Sequence, residues 1–146
     1  MDNAFKYIVD NKGIDTEKAY PYRAKDEPCE FKRSEVGAVM KSFVDVEKGS
    51  ENALANAVAI GPVSVAVQAT SSMQFYSHGI FNDPFCGSPA QLNHGVAVVG
   101  YGSENGKDFW IVRNSWGQSW GEQGYVRFSR GKNLCGIVDA ASYPVV

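Results

Sequence analysis

Histidine is the side chain that exchanges protons near neutral pH, and this sequence of 146 residues has two. His78 lies in a short polar segment, which is typical of a surface histidine. His94 directly precedes the apolar run 95–102. At the start of a predicted strand, a histidine is held by a rigid element while its ring can still reach a cleft. Its position leaves two interpretations of His94 open: a catalytic histidine, or one that merely ends a strand.

A second candidate segment follows as Asn114-Ser115-Trp116-Gly117, with Trp120 beyond it. The amide oxygen of Asn114 can accept a hydrogen bond from an imidazole N–H and so fix the orientation and tautomer of the ring. A tryptophan over that bond would keep water from competing for it. The alternative is a turn rich in tryptophan and glycine that only packs on the core, and the residues alone leave both open.

The elements that must position these residues begin with a helix. Met1, Ala4, Phe5 and Ile8 have helical spacing, and Gly13 is the predicted stop. The segment 20–33 is rich in charge and proline and is predicted to be an irregular surface loop. It contains a cysteine, Cys29. A strand is predicted over 36–46.

The rest of the chain is predicted to be mostly strands. A helix starts at the N-cap residue Ser50 and ends near Ile60, and the alternating valines from Val63 to Val67 predict a strand. One or two helical turns are predicted over 72–77. Three further strands are predicted over 95–101, 109–114 and 124–129. Asn105-Gly106 between the first two is typical of a hairpin turn. The chain as a whole is predicted to have a short helical N-terminal part and a β-rich C-terminal part, which join near residue 40.

Composition excludes several classes of protein. With 14 basic and 16 acidic residues, the net charge of −2 argues against a nucleic-acid binder. A hydrophobic content of 44% argues against disorder. The longest apolar region, 53–69, is interrupted by polar residues, glycine and proline, so we expect no membrane span, and the first residues give no sign of a signal peptide. The odd count of 3 cysteines means a pair plus an orphan, a reactive thiol, or chain that is missing.

Several separated motifs together resemble the papain-like cysteine peptidases. The run Leu92-Asn93-His94-Gly95 with its apolar continuation, and Asn114-Ser115-Trp116-Gly117 after it, carry the resemblance. The start of the chain, Tyr20-Pro21-Tyr22 and the ending from Cys135 to Pro144 are similar to the cathepsin L branch. The resemblance covers nearly the whole chain. It implies an α+β, papain-like fold: residues 41–146 form an antiparallel β-barrel lobe, and residues 1–40 are a helical remnant of the α-rich lobe.

The resemblance also implies the roles of individual residues. In this family a cysteine thiolate attacks the peptide carbonyl and a histidine protonates the leaving amine. His94 would be that acid and base, Asn114 would orient it, and Trp116 would shield their hydrogen bond. Residues matching the walls of a pocket for a bulky hydrophobic side chain of a polypeptide substrate are Met1, Ala66, Leu92, Asn93, Gly95 and Ala140. Asn93 departs from the aspartate often found there. The resemblance implies no cofactor and no metal.

The family's nucleophile segment, Cys-Gly-[Ser/Ala]-Cys-[Trp/Tyr], does not occur in these residues, and neither does the upstream glutamine of the oxyanion hole. The resemblance therefore implies a C-terminal portion that is inactive without the N-terminal half of the enzyme. It pairs Cys86 with Cys135 in a disulfide and leaves Cys29 unpaired in this chain, because the matching partner lies in the absent half.

Three hypotheses for function follow. The first is the C-terminal part of a lysosomal or extracellular cysteine endopeptidase. The second is a non-catalytic relative that binds peptides, propeptides or cystatin-like inhibitors. The third is a secreted β-rich interaction domain whose motif matches are only structural. The presence of both His94 and Asn114 favours the first over the second, because a binding module does not need an oriented imidazole. The order of several motifs disfavours the third.

Overall fold

The computed structural model describes residues 1–86 and 90–146. They form two compact units, residues 1–44 with 144–146, and residues 45–143. The α-helices are α1 (Asp2–Asn11), α2 (Glu51–Val58) and α3 (Ser71–Gln74), and 3₁₀ turns lie at Arg33–Glu35 and Leu134–Gly136. The strands are β1 (Ile14–Asp15), β2 (Val36–Ala38), β3 (Ser42–Asp45), β4 (Val63–Val67), β5 (Ile80–Phe81), β6 (His94–Glu104), β7 (Lys107–Arg113), β8 (Tyr125–Ser129) and β9 (Ala141–Val145).

The first unit contains the predicted helix but almost no core. Helix α1 ends in the left-handed Lys12, next to the predicted stop Gly13, and none of its residues is buried. The predicted strand 36–46 is divided into β2, which pairs with β1, and β3. In residues 1–44, all of which the structure describes, Gly13 alone is buried. This unit therefore leaves its apolar side chains largely uncovered.

Cys29 gives the first unit a testable chemical property. Its thiol is free and exposed, and its Sγ lies 3.3 Å from the Tyr7 hydroxyl oxygen. The hydrogen bond from Tyr7 lowers the pKa of Cys29. Because the thiolate is the reactive form, we expect iodoacetamide to label this chain once without prior reduction, as counted by mass spectrometry. The variant Cys29→Ser should take no label. An unlabelled chain, or a second label, would contradict the expectation.

The second unit is built on strands that neighbour one another in the order β9-β4-β6-β7-β8-β5. Val63, Val65 and Val67 of β4 are fully buried, and the two residues between them are half-buried, which confirms the predicted alternation. Strand β4 pairs antiparallel with β6 and β9, whereas β5 pairs with β8 in parallel. Helix α2 covers the sheet with Leu54 and neighbouring apolar residues.

The start of α2 is capped as predicted. The Ser50 side chain accepts a hydrogen bond of 3.1 Å from the Ala53 N–H and so satisfies one of the free donors of the first turn. The helix ends at Val58, slightly before the predicted end at Ile60. The following strand β4 lies inside the sheet, between β9 and β6.

The β6–β7 hairpin carries the two catalytic candidates at its open end. Asn105 and Gly106 turn the chain with φ of 52° and 72°, the left-handed values that an Asn-Gly hairpin turn requires. Further from the turn, Gly100 pairs with Ile111 but Val98 pairs with Val112, so Val99 is one extra residue in β6. This β-bulge changes which face of the sheet the later residues occupy.

A disulfide between Cys86 and Cys135 crosses the second unit, as the resemblance implied. Cys135 lies in the turn Leu134–Gly136, whose residues are all buried. In the part of the chain that the structure describes, no helix has the length and apolar character of a bilayer span.

Candidate active site

His94 and Asn114 meet at the open end of the β6–β7 hairpin. His94 is the first residue of β6, and Asn114 follows the last residue of β7. The Nε2 atom of His94 lies 2.8 Å from the Oδ1 atom of Asn114. Asn114 is buried and His94 is half-buried, so the bond is held by the protein while the ring keeps an open side.

A second hydrogen bond identifies the tautomer of His94. The backbone N–H of Ser115 donates to the same Oδ1 atom of Asn114 at 2.8 Å, so that atom must be the amide oxygen. An amide oxygen only accepts, and Nε2 of His94 must therefore carry the proton of their bond. In the neutral ring, this leaves Nδ1 without a proton and able to accept one, which is the state a general base requires.

Trp116 stacks on the ring of His94. Their ring centroids are 5.1 Å apart and the planes are inclined by 29°. Trp120 contacts Trp116 edge to face at 5.0 Å, and its indole N–H donates to the Gln74 carbonyl at 3.2 Å. The half-buried Trp116 thus covers one face of the imidazole, where water would otherwise compete for the bond to Asn114.

Several of the predicted substrate-binding residues lie together around the adjoining ends of β4 and β6. Ala66 is paired with Gly95, and the N–H of Ala66 donates to the Ala140 carbonyl at 2.9 Å. Leu92 and Asn93 precede His94, and the methyl group of Leu92 lies against Gly136. A β-carbon built on Gly95 would meet no heavy atom within 4 Å, so the space beside this residue of β6 is open.

Asn93 fastens the segment before His94 to the segment after β4. Its Oδ1 accepts the Ala69 N–H at 2.7 Å, and its Nδ2 donates to the Ala69 carbonyl at 3.2 Å. A carboxylate could make the first of these hydrogen bonds but not the second, because it has no donor. The amide at this position therefore closes a two-point contact that holds the start of β6.

Met1 is the N-cap residue of α1 in the first unit. His78 is exposed and its Nδ1 lies 2.9 Å from the hydroxyl oxygen of its neighbour Ser77, in keeping with a surface histidine.

Sequence patterns did not single out two charged residues that brace this site. Glu122 and Arg127 form a bidentate ion pair, with two N–H groups of the guanidinium each 2.9 Å from a carboxylate oxygen. The signal available was their opposite charge on either side of Gln123-Gly124, whose positive φ angles of 57° and 90° form a tight turn. Across this turn Glu122 is opposite Tyr125, so Arg127, two residues further on, is a diagonal neighbour that a long side chain can reach.

The family assignment follows from a comparison with protein-family models. The model described as papain family cysteine protease matches residues 1–145. The chain belongs to the papain family. Its histidine, asparagine and tryptophan motifs are thus embedded in a match that includes both units of the structure.

Individual papain-family relatives agree with this assignment. The chain is 53% identical to cathepsin L1 of Drosophila melanogaster, with 100% of this chain and 40% of the relative covered. A procathepsin L 3 structure from the Tenebrio molitor larval midgut superposes with a TM-score of 0.95 at 52% identity, covering 100% of this chain and 48% of that one. The bromelain protease of Ananas comosus, solved with the inhibitor E64, gives a TM-score of 0.90 at 39% identity over 99% of this chain and 68% of its own.

The chain therefore has the papain-like fold and spans less than half the length of the two cathepsin L relatives.

Proposed function

We propose that this chain is the C-terminal part of a cathepsin L-like cysteine endopeptidase and that it supplies the histidine and asparagine of a Cys-His-Asn site. The observation that carries the proposal is the 2.8 Å bond from His94 to Asn114 beneath Trp116. A buried amide that fixes the tautomer of an imidazole has a use in proton transfer, whereas a surface that only binds peptides does not need one.

This geometry supports the role that we assign to each residue. With Nε2 engaged by Asn114, His94 exchanges its catalytic proton at Nδ1. A cysteine in the portion that the longer relatives possess would ionise beside the imidazolium, and its thiolate would attack the substrate carbonyl. His94 would then pass the Nδ1 proton to the departing amine. Asn114 and Trp116 would hold the ring in place through both steps.

We assign substrate contact to the residues next to His94. Ala66, Leu92, Gly95 and Ala140 would form apolar walls for a bulky hydrophobic side chain, and Met1 stays a prediction from the family resemblance. Asn93 would present its backbone carbonyl to a substrate N–H. The expected substrates are polypeptides with a large apolar residue two positions before the cleaved bond.

The exposed first unit supports a further N-terminal portion in the complete protein. Tyr22 is 85% exposed and Val39 is 62% exposed, and α1 buries no residue at all. A unit of this size without a core gains too little from burial to be stable alone. We assign residues 1–40 to the edge of an α-rich lobe that the missing portion completes, and residues 41–146 to the β-rich lobe.

Location and partners follow from the same proposal. Such an enzyme would act in the lysosome or outside the cell, where a disulfide persists. Its partners would be its own propeptide and cystatin-like inhibitors, and two of the similar structures are procathepsins by their description.

A chimera tests the proposed function directly. We would join the portion of the Drosophila relative that precedes its match, where the family pattern places the nucleophile segment, to residues 1–146 of this chain. We expect the purified chimera to hydrolyse a fluorogenic peptide with a bulky apolar residue two positions before the cut, while the 146-residue chain alone releases no fluorophore. Turnover by the chain alone would contradict the proposal. A folded chimera that binds the peptide without cleaving it would instead favour the non-catalytic binding module.

A further inference from the structure

The two tryptophans of the site lie on one connection, residues 114–124, which we call the tryptophan loop. The loop leaves β7 at Asn114 and returns to β8 through a tight turn. Its closing contacts are made by Glu122: the Glu122 N–H donates to the Tyr125 carbonyl at 2.9 Å, and the Tyr125 N–H donates back at 3.1 Å. We propose that Glu122 is a positioning residue that keeps Trp116 over His94. This inference rests on the proposed function, since the position of Trp116 matters only if His94 is catalytic.

The carboxylate of Glu122 ties the tryptophan loop to two other elements. One oxygen accepts the Nη2–H of Arg127 and the N–H of Gly79, both at 2.9 Å, and the other accepts the Nε–H of Arg127 at 2.9 Å. Arg127 lies in β8, and Gly79 immediately precedes β5. Three donors thus converge on one half-buried carboxylate, and fork-shaped pairing with arginine fixes its direction as well as its distance.

Charge reinforces this anchor. The N–H groups of Arg127 stabilise the ionised carboxylate and hold the pKa of Glu122 below its ordinary value, against the opposing effect of burial. Glu122 and Arg127 are only 30% and 20% exposed, so water screens the pair less than it would on an open surface. Glu104 also contacts Arg127, at 3.0 Å from Nη1, but it is 55% exposed. The same arginine therefore has one partner inside the tryptophan loop and one outside it.

An aromatic row transmits the position of Glu122 to His94. The Tyr76 hydroxyl donates to the Gly79 carbonyl at 2.6 Å and accepts the backbone N–H of Arg127 at 3.3 Å. Tyr76 is therefore bonded to the same two residues as the Glu122 carboxylate. Its ring packs on Trp120 at 5.6 Å, Trp120 meets Trp116 at 5.0 Å, and Trp116 covers His94 at 5.1 Å.

The backbone beside Glu122 leaves the tryptophan loop little freedom. At Gly121, with φ of 58°, a β-carbon would come within 2.6 Å of the Tyr125 carbonyl oxygen and 3.1 Å of the Tyr76 ring. The chain fits here because residue 121 is glycine. The close contacts at Gly121 limit the directions in which the tryptophan loop can move. If Glu122 were released, we expect the tryptophan loop to move as a unit, together with Trp116 and Trp120.

The test compares Glu122→Gln with Glu104→Gln in the 146-residue chain by NMR. Each variant removes one carboxylate charge beside Arg127, but only Glu122 belongs to the tryptophan loop. Two readouts report on Trp116: the ring-current displacement of the His94 ring protons, and the solvent exchange of the His94 Nε2 proton. In Glu122→Gln we expect the displacement to shrink and the exchange to accelerate roughly tenfold, the factor for about 1.4 kcal/mol of local opening free energy. In Glu104→Gln we expect both to stay as in the unmodified chain.

The inference is overturned if folded Glu122→Gln leaves the His94 signals in place, or if Glu104→Gln changes them equally. Should Glu122→Gln fail to fold, the variant Arg127→Lys is used in its place. The lysine ammonium keeps the positive charge but cannot form the bidentate pair with the Glu122 carboxylate. A smaller change in the same direction is then expected, and unchanged His94 signals would again contradict the role. Neither readout needs peptidase activity. An inactive chimera would therefore refute the proposed function without altering the NMR result.

Discussion

Replacing His94 with alanine in the chimera is expected to lower kcat for peptide hydrolysis by at least about ten-thousandfold. The imidazole has two tasks in the proposed mechanism, since it stabilises the thiolate and protonates the leaving amine. Removal of one group therefore weakens both steps. Residual turnover would come from substrate binding and the oxyanion hole alone.

The chain offers a matched control, because its other histidine is in a different environment. His78→Ala removes the same side chain from an exposed turn where it contacts Ser77, and it leaves the bond between His94 and Asn114 untouched. We expect this variant to keep the activity of the unmodified chimera. Steady-state kinetics with the fluorogenic peptide, together with thermal unfolding of both variants, separates loss of chemistry from loss of structure.

Equal losses in the two histidine variants would contradict the assignment, and so would a fully active His94→Ala chimera. In either case the shielded imidazole would have a structural role, as in the third of the hypotheses drawn from the sequence.

The elements that the sequence predicted correctly depend on patterns within a few neighbouring residues. The alternation in β4, the serine cap of α2 and the Asn-Gly hairpin turn each depend on local geometry, and the structure confirms all of them. Strand β9 was not predicted, because Ala141–Val145 has no clear alternation and contains Pro144. It becomes a strand through pairing with β4, at residues more than 70 positions earlier in the chain, where Val65 meets Ala141.

The pairing of His94 with Asn114 shows what local patterns cannot supply. A hairpin centred on Asn105-Gly106 predicts that the two residues lie near its open end. It does not predict that they share a face. If the pairing of Gly100 with Ile111 continued in register, Asn114 would come opposite Ala97, whose side chain points to the face opposite that of His94. The extra residue Val99 shifts the register by one and brings Asn114 to the side of His94.

The Glu122–Arg127 pair escaped detection for a related reason. Its two members are five residues apart, and many surface charges in this chain have such a neighbour. Their contact with Gly79 and Tyr76, more than 40 positions earlier, depends on the parallel pairing of β5 with β8. Non-local contacts of this kind determine how rigidly the site is held, and they are visible only once the chain is folded.

Removing the disulfide is the second change with a large expected effect. We expect Cys86→Ala/Cys135→Ala to lower the free energy of unfolding by about 4 kcal/mol, because the bond closes a loop across a sequence separation of 49 and so restricts the unfolded chain. Urea denaturation followed by tryptophan fluorescence measures the difference. Cys29→Ala is the matched control, since it removes an exposed free thiol, and we expect it to change stability by less than about 0.5 kcal/mol.

The position of Cys135 predicts which segments become less stable first when the disulfide is removed. Its carbonyl accepts the Gln68 N–H at 2.8 Å, next to the end of β4, and the neighbouring Gly136 lies against Leu92. Without the disulfide, hydrogen exchange should rise in the segments before His94 and after β4, ahead of the core strands β6 and β7. A double variant that loses less than about 1 kcal/mol would show that packing of the buried Leu134–Gly136 turn holds these segments without the covalent bond.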